Sequence, residues 1–236
     1  MGFFERLHSR LVEKSLDLRA RAVTYVAFGD SITHGGMEYG VHEHIQLYHQ
    51  LLKSKIVERY PLTLINVINS GVGGDSAVNA LSRLERDVLM YKPDLVTIMF
   101  GANDAHGGEA GLPAYAAAIH QMITAIRTQT AAEIIILTPP MMAQKDNPLI
   151  HDAHREKLSS FFETELRGFT RLYVEALHKI ANEEALPILD VYAMWEQMEQ
   201  AGVDIHQRFA NGLNHPDREF HAELASSLYT KLIENA

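Results

Sequence analysis

Val23-Thr24-Tyr25-Val26-Ala27-Phe28 runs without a break into Gly29-Asp30-Ser31. The apolar run is strand length and barely alternates, the pattern of a strand buried on both faces. Its glycine permits a tight exit free of a Cβ clash. A serine at the C-terminal end of such a strand stands where open α/β sheets place their ligands. Held there, its hydroxyl is a candidate nucleophile if a base lies within reach.

Working outward, apolar runs recur near Leu62–Asn69, Leu95–Phe100, Glu133–Leu137 and Pro187–Val191. Helical patterns separate them, near His42–Arg59, Ser76–Tyr91, Leu112–Thr130 and His154–Glu184, and a last one spans Arg218–Glu234. Strand–helix alternation predicts an α/β protein with a parallel sheet and helices on both faces. No linker or repeat divides residues 1–236, which read as a single domain. Residues 1–20 read as an amphipathic helix with Phe4, Leu7, Leu11 and Val12 on one face. That helix packs on the body or on a second copy of the chain, which makes a homo-oligomer a candidate assembly.

The formal net charge of −9 argues against nucleic acid as a partner, because phosphate binding needs a basic surface. The absence of cysteine removes thiolate nucleophiles and Cys-based zinc sites. The N-terminal residues lack a secretory h-region, and no apolar stretch is long enough to span a bilayer. The expectation is therefore a cytoplasmic protein without membrane attachment.

In a parallel sheet the residues after each strand meet at one edge. Four such places carry polar or small residues suited to acyl transfer: Gly29-Asp30-Ser31-Ile32-Thr33, Asn69-Ser70-Gly71-Val72-Gly73-Gly74-Asp75-Ser76, Gly101-Ala102-Asn103-Asp104, and Asn211-Gly212-Leu213-Asn214-His215-Pro216. Together they offer a hydroxyl, a base, close-approaching backbone N–H groups and a side-chain amide. Preorganised donors of this kind are usually the largest catalytic term, each worth about 3–4 kcal/mol.

These four blocks, in this order, resemble the signature blocks of the SGNH/GDSL hydrolase family, from about residue 23 to the end. The resemblance implies a three-layer α/β/α sandwich with a five-stranded parallel sheet in flavodoxin-like order. It also implies esterase, deacetylase or lipase-type hydrolysis without a metal or cofactor. Ser31 matches the family's nucleophile and, through its N–H, one oxyanion donor. Gly74 and Asn103 match the other two donors, and His215 matches the general base. The family's aspartate, three residues before the histidine, has no counterpart: Gly212 stands there, with Asn211 one residue earlier. Three arrangements stay open. Asn211 orients His215, a backbone carbonyl holds it in a Ser-His dyad, or an aspartate such as Asp190 or Asp204 reaches it from elsewhere.

Competing motifs are weaker. Gly71-Val72-Gly73-Gly74 lacks the third glycine of a dinucleotide fingerprint, since position 76 is Ser76. Ser76 reads as a helix cap, and Asp30, Asp75 and Asp104 as turn-holding acceptors. His42, Glu43, His44 and His49 read as solvated or capping groups rather than metal ligands, and His34 as packing. The methionines of Pro139-Pro140-Met141-Met142 fit either an adaptable pocket wall or core gaps. Trp195 reads as core.

The expected function is hydrolysis of short-chain acyl esters, such as acetyl esters of a carbohydrate or other small alcohol. The alternatives are lysophospholipid or thioester hydrolysis on longer chains, and a non-catalytic ligand-binding protein without the triad acid.

Overall fold

The computed structural model describes residues 3–234; the outermost residues of the expected N-terminal helix and of the expected domain lie outside them. Five parallel strands form one sheet: β1 (Val23–Gly29), β2 (Ile65–Gly71), β3 (Leu95–Met99), β4 (Glu133–Leu137) and β5 (Ile188–Leu189), in the order β2-β1-β3-β4-β5. This is the flavodoxin-like order expected. Around the sheet lie α1 (Glu5–Leu16), α2 (Ser31–His34), α3 (Tyr48–Arg59), α4 (Ala77–Ala80), α5 (Leu84–Asp87), α6 (Gly108–Gln129), α7 (Leu158–Leu166), α8 (Phe169–Glu183), α9 (Val191–Gln200) and α10 (Arg218–Tyr229).

All of β1 is buried, and its period-2 pleat splits it between two cores. Tyr25 and Ala27 join Leu7, Leu11, Leu52, Trp195 and Leu224, so α1, α3, α9 and α10 cover one face. Val26 and Phe28 join Ala80, Leu84, Ile119 and Leu177, so α4, α5, α6 and α8 cover the other. The register pairs Gly29 with Gly71 of β2 and Met99 of β3, so three strands end level and their following loops converge. Gly29 sits at a close approach: a Cβ there would lie 2.2 Å from the Thr33 hydroxyl of α2.

Several elements differ from the periodicity. The helix expected from His42 begins only at Tyr48, because the Glu43 carboxylate accepts the N–H groups of His44, Ile45 and Gln46 and holds that stretch as a turn. The helix expected over Ser76–Tyr91 breaks into short α and 3-10 turns around the buried Arg83. Gly168, at φ 73°, divides the long expected helix into α7 and α8. β5 is short because the Asp190 carboxylate accepts the Ala193 N–H and starts α9, a helix the sequence reading missed. Phe4, Leu7 and Leu11 pack inward from the N-terminal helix, but Val12 is exposed. Trp195 is core, stacked on Phe209 at 4.3 Å. Met141 and Met142 are core as well, not pocket wall. Among the described residues no helix is long and apolar enough to cross a membrane.

Candidate active site

Ser31 is the first residue of α2, and the Asp30 carboxylate caps that helix by accepting the Ile32 N–H at 2.9 Å. Burial, with the Asp104 and Asp75 carboxylates adding to it, pushes the Asp30 carboxyl up to about 7. Asp30 thus shapes the turn beneath the serine while its own hydroxyl-bearing neighbour faces the cleft.

His215 comes from the loop before α10. Asn211 builds that loop: its Oδ1 accepts the N–H groups of Leu213, Asn214 and His215 at 2.9–3.0 Å, and its Nδ2 donates to Asn214 Oδ1. The result brings His215 Nε2 to 3.0 Å from Ser31 Oγ. On the other side of the ring, Nδ1 donates to the Met37 carbonyl at 3.2 Å. This pair of bonds fixes the tautomer that leaves Nε2 free to accept a proton. Burial drives His215 down to about 4, with His154 and His42 adding to the effect and the Met37 carbonyl opposing it. At neutral pH the imidazole is therefore uncharged, with the Nε2 lone pair available to accept the serine proton.

Two open questions in the sequence are answered. Asn211 does not bond the imidazole; it sets the ring's position through the backbone, and the orienting acceptor is the Met37 carbonyl. Neither distant aspartate reaches the histidine. Asp190 is bonded to His178, Thr138 and Ala193, and Asp204 to His206. The site at 212 has no room for an aspartate side chain. Gly212 has φ 72°, and a Cβ there would lie 2.7 Å from Asn147 Oδ1 and 2.8 Å from the Ile150 nitrogen. Asn147 in turn donates to the Gly212 carbonyl at 2.8 Å, so the 147–150 segment fills the space a side chain would need.

Gly36 plays the matching part opposite the ring. A Cβ there would lie 2.7 Å from His215 Cε1 and 3.0 Å from Nδ1. The Gly36 N–H donates to the Ser31 carbonyl at 2.8 Å, and Gly36 bridges to His42, so the loop that carries the Met37 carbonyl is anchored at both ends.

The remaining predicted donors line the same cleft: Gly74 and Asn103 stand with Ser31 and His215 around a cavity of about 310 Å³. Asn103 Nδ2 donates one hydrogen to the Asp75 carbonyl at 2.8 Å, which orients the amide and leaves its second hydrogen unused by that bond. Behind these groups lies Arg83, which the sequence reading missed. Its guanidinium donates to the Gly29 and Ser70 carbonyls and to the Asp75 carboxylate, and it stacks over Phe28 at 4.6 Å. One buried side chain thereby ties the ends of β1 and β2 to the loop carrying Gly74. Asp75 and Asp104 accept the Ser76 and Ala77 N–H groups, and Ser76 caps α4, as their local patterns suggested.

The candidate metal residues disperse. His49 is buried and donates to the Thr33 carbonyl, while His42 packs against the His34 ring at 4.8 Å. No cluster of three or more metal-binding side chains exists among the described residues. A larger cleft of about 510 Å³, walled by His106, Ser160, Arg167 and their neighbours, shares no residue with the Ser31 cavity.

A serine hydroxyl, a neutral imidazole and several N–H donors around one cavity form the constellation that acyl transfer needs. Comparison with known proteins agrees with this chemistry. The sequence profile of the GDSL-like lipase/acylhydrolase family matches residues 27–223. An arylesterase of Vibrio mimicus is 30% identical over 109 residues, 44% of this chain and 52% of that protein. The chain spans about half or less of the length of the curated relatives it matches. Among solved structures, a lipase/acylhydrolase from Enterococcus faecalis superposes with a TM-score of 0.67 at 24% identity, covering 89% of this chain and 95% of that one. An acetylxylan esterase from Geobacillus stearothermophilus superposes with a TM-score of 0.66 at 21% identity, covering 89% and 94%. At these identities the superpositions speak to the fold.

Proposed function

Because this chain belongs to the GDSL-like lipase/acylhydrolase family, we propose that it is a serine carboxylic-ester hydrolase acting on short acyl esters, acetyl esters of small alcohols or sugars first among them. The observation that carries the reading is the 3.0 Å approach of Ser31 Oγ to a His215 whose other nitrogen is held by the Met37 carbonyl.

In this reaction Ser31 Oγ attacks the ester carbonyl while His215 Nε2 takes its proton. The carbonyl oxygen, now negative, is met by the Ser31 and Gly74 N–H groups and by the second hydrogen of the Asn103 amide. His215 then returns the proton to the departing alcohol oxygen, and the acyl group remains on Ser31. Water, activated by the same imidazole, releases the acid and restores the hydroxyl. Among the described residues no carboxylate bonds the imidazolium; the Met37 carbonyl dipole faces it, and the oxyanion donors stabilise the opposite charge on the substrate oxygen.

Two observations support short acyl groups. The cavity of about 310 Å³ has to hold both acyl and alcohol parts, and the methionines that could have widened its apolar wall are packed in the core. The name of the acetylxylan esterase relative points the same way.

The test is hydrolysis of p-nitrophenyl acetate, butyrate and octanoate by wild type, Ser31→Ala and His215→Ala. Preference for acetate, with both variants losing most activity, supports the proposal. Preference for octanoate moves it to long-chain substrates. Equal activity in the variants, or a wild type that neither turns over nor reacts with a serine-directed phosphonate, refutes it in favour of a binding protein.

A further inference from the structure

The cleft is set in an acidic chain, with a formal net charge of −9, yet its wall carries a lysine that no carboxylate engages. Apart from His215, its titratable lining consists of Glu38, Tyr39, His42, His154 and Lys157. Glu38, the sole carboxylate among them, is held away from Lys157 by Arg218 at 2.9 Å, a guanidinium it shares with Glu43. Arg155, two residues before Lys157, is taken up by Asp146 and Asp152. Lys157 has no ion pair or hydrogen-bond partner among the described residues. A lysine left free at the wall of a reaction cavity is available to a ligand.

Its backbone is fixed relative to the nucleophile. The ring of Tyr39, from the loop after α2, stacks on His151 at 4.0 Å and 6° and meets His154 edge-on at 5.4 Å. These contacts bind the 3-10 turn Asp152–Lys157 to the loop that orients His215.

Geometry also assigns Lys157 to one half of the substrate. The carbonyl oxygen lies toward Ser31, Gly74 and Asn103, so the leaving oxygen lies beside His215 Nε2, from which it takes its proton. His154 meets Tyr39, two residues from the Met37 carbonyl that holds His215, and His154 and Lys157 both line the cavity. The 3-10 turn therefore borders the cavity on the side of the 36–42 loop and the imidazole, where the alcohol leaves.

We propose that Lys157 is a specificity-determining residue and that the preferred substrate is an acyl ester whose alcohol carries a negative charge, a carboxylate or a phosphate. The inference rests on the esterase reading above. It adds to that reading a substrate class that a neutral polysaccharide acetate would not satisfy.

The experiment compares kcat/KM for 4-acetoxybenzoate, its uncharged methyl ester and 4-acetoxyphenyl phosphate, in wild type and in Lys157→Ala, Lys157→Glu and Lys157→Arg. Reading the anionic-to-neutral ratio cancels intrinsic leaving-group reactivity and any general loss of folding. An exposed charge pair contributes about twofold to fivefold. The ratio is expected to fall by that factor in Lys157→Ala, to fall by about tenfold in Lys157→Glu, and to persist in Lys157→Arg. Raising the salt should bring the wild-type ratio toward that of Lys157→Ala. The larger fall of the two anionic esters identifies the anion. A ratio unchanged in both the alanine and glutamate variants overturns the role of Lys157 and leaves the esterase standing. Hydrolysis of the neutral methyl ester by Ser31→Ala at the wild-type rate overturns both.

Discussion

Gly36→Ala tests the dyad through a single methyl group. The Gly36 backbone is not in the left-handed region, so alanine brings no conformational strain there. Its effect is purely one of space. The new Cβ would lie 2.7 Å from His215 Cε1, whereas carbon atoms rest at about 3.5 Å or more. The backbone cannot easily withdraw, because the Gly36 N–H is bonded to the Ser31 carbonyl. The ring must therefore move by about 0.8 Å. That shift is spent on the two bonds that define the site, the 3.0 Å contact to Ser31 Oγ and the 3.2 Å contact to Met37. A misplacement of this size costs about 10²-fold in rate, equivalent to about 2.7 kcal/mol in the activation barrier. The assay is the steady-state kinetics of p-nitrophenyl acetate hydrolysis, with thermal unfolding followed in parallel. The expected result is a kcat reduced by about two orders of magnitude in a protein that still unfolds cooperatively. Activity within threefold of wild type would refute the view that the 36–42 loop positions the base.

The acidic limb of kcat/KM should lie well below the ordinary histidine range. His215 must be neutral to act, activity falls as pH drops through its folded-state pKa, and that value is lowered to about 4; a midpoint near 6.5 or above would show a charge partner at the ring, and circular dichroism at each pH separates this limb from unfolding. Asp30→Asn should stabilise the fold at pH 8 but not at pH 4. The folded carboxyl is raised to about 7, so the unfolded state releases its proton first, and stability is lost as pH rises from the unfolded pKa to about 7, at a limit of about 1.4 kcal/mol per pH unit. Urea midpoints at both pH values measure this, and an equal effect at the two contradicts it. Gly212→Asp, which restores the family's usual aspartate, should lower rather than raise activity, because the side chain meets Asn147 and Ile150 and the backbone is at φ 72°; a gain in kcat would show that the 147–150 segment yields readily.

Ser31, Gly74 and Asn103 were legible because parallel strands deliver their C-terminal ends to one edge, so residues from distant segments could be placed together before any contact was known. His215, on the loop before α10 and well past β5, joined them through the order of the four blocks that resemble the family's. What stayed hidden has equally physical causes. A backbone carbonyl such as that of Met37 has no side-chain signature, so an acceptor of this kind cannot be read from residue type. Arg83 looks like any charge on an amphipathic segment, and only the folded chain reveals that its guanidinium is buried among carbonyl groups. The start of α9 carried a usable sign, an aspartate before an apolar run, which the short preceding strand obscured. Asn211 was singled out correctly as part of the histidine loop but for the wrong contact, since the reading considered the ring and not the main chain.

The packing of residues 147–150 against Gly212 makes any triad acid at that position a two-part change. A side chain at 212 needs the segment withdrawn, and withdrawing it breaks the Asn147 bond to the Gly212 carbonyl. What holds the imidazole instead is the 36–42 loop, through the Met37 carbonyl. Residues 36–42 also line the cleft. A substitution there therefore acts on the base and on the substrate-binding wall together, so kcat and KM are coupled through one short stretch of chain.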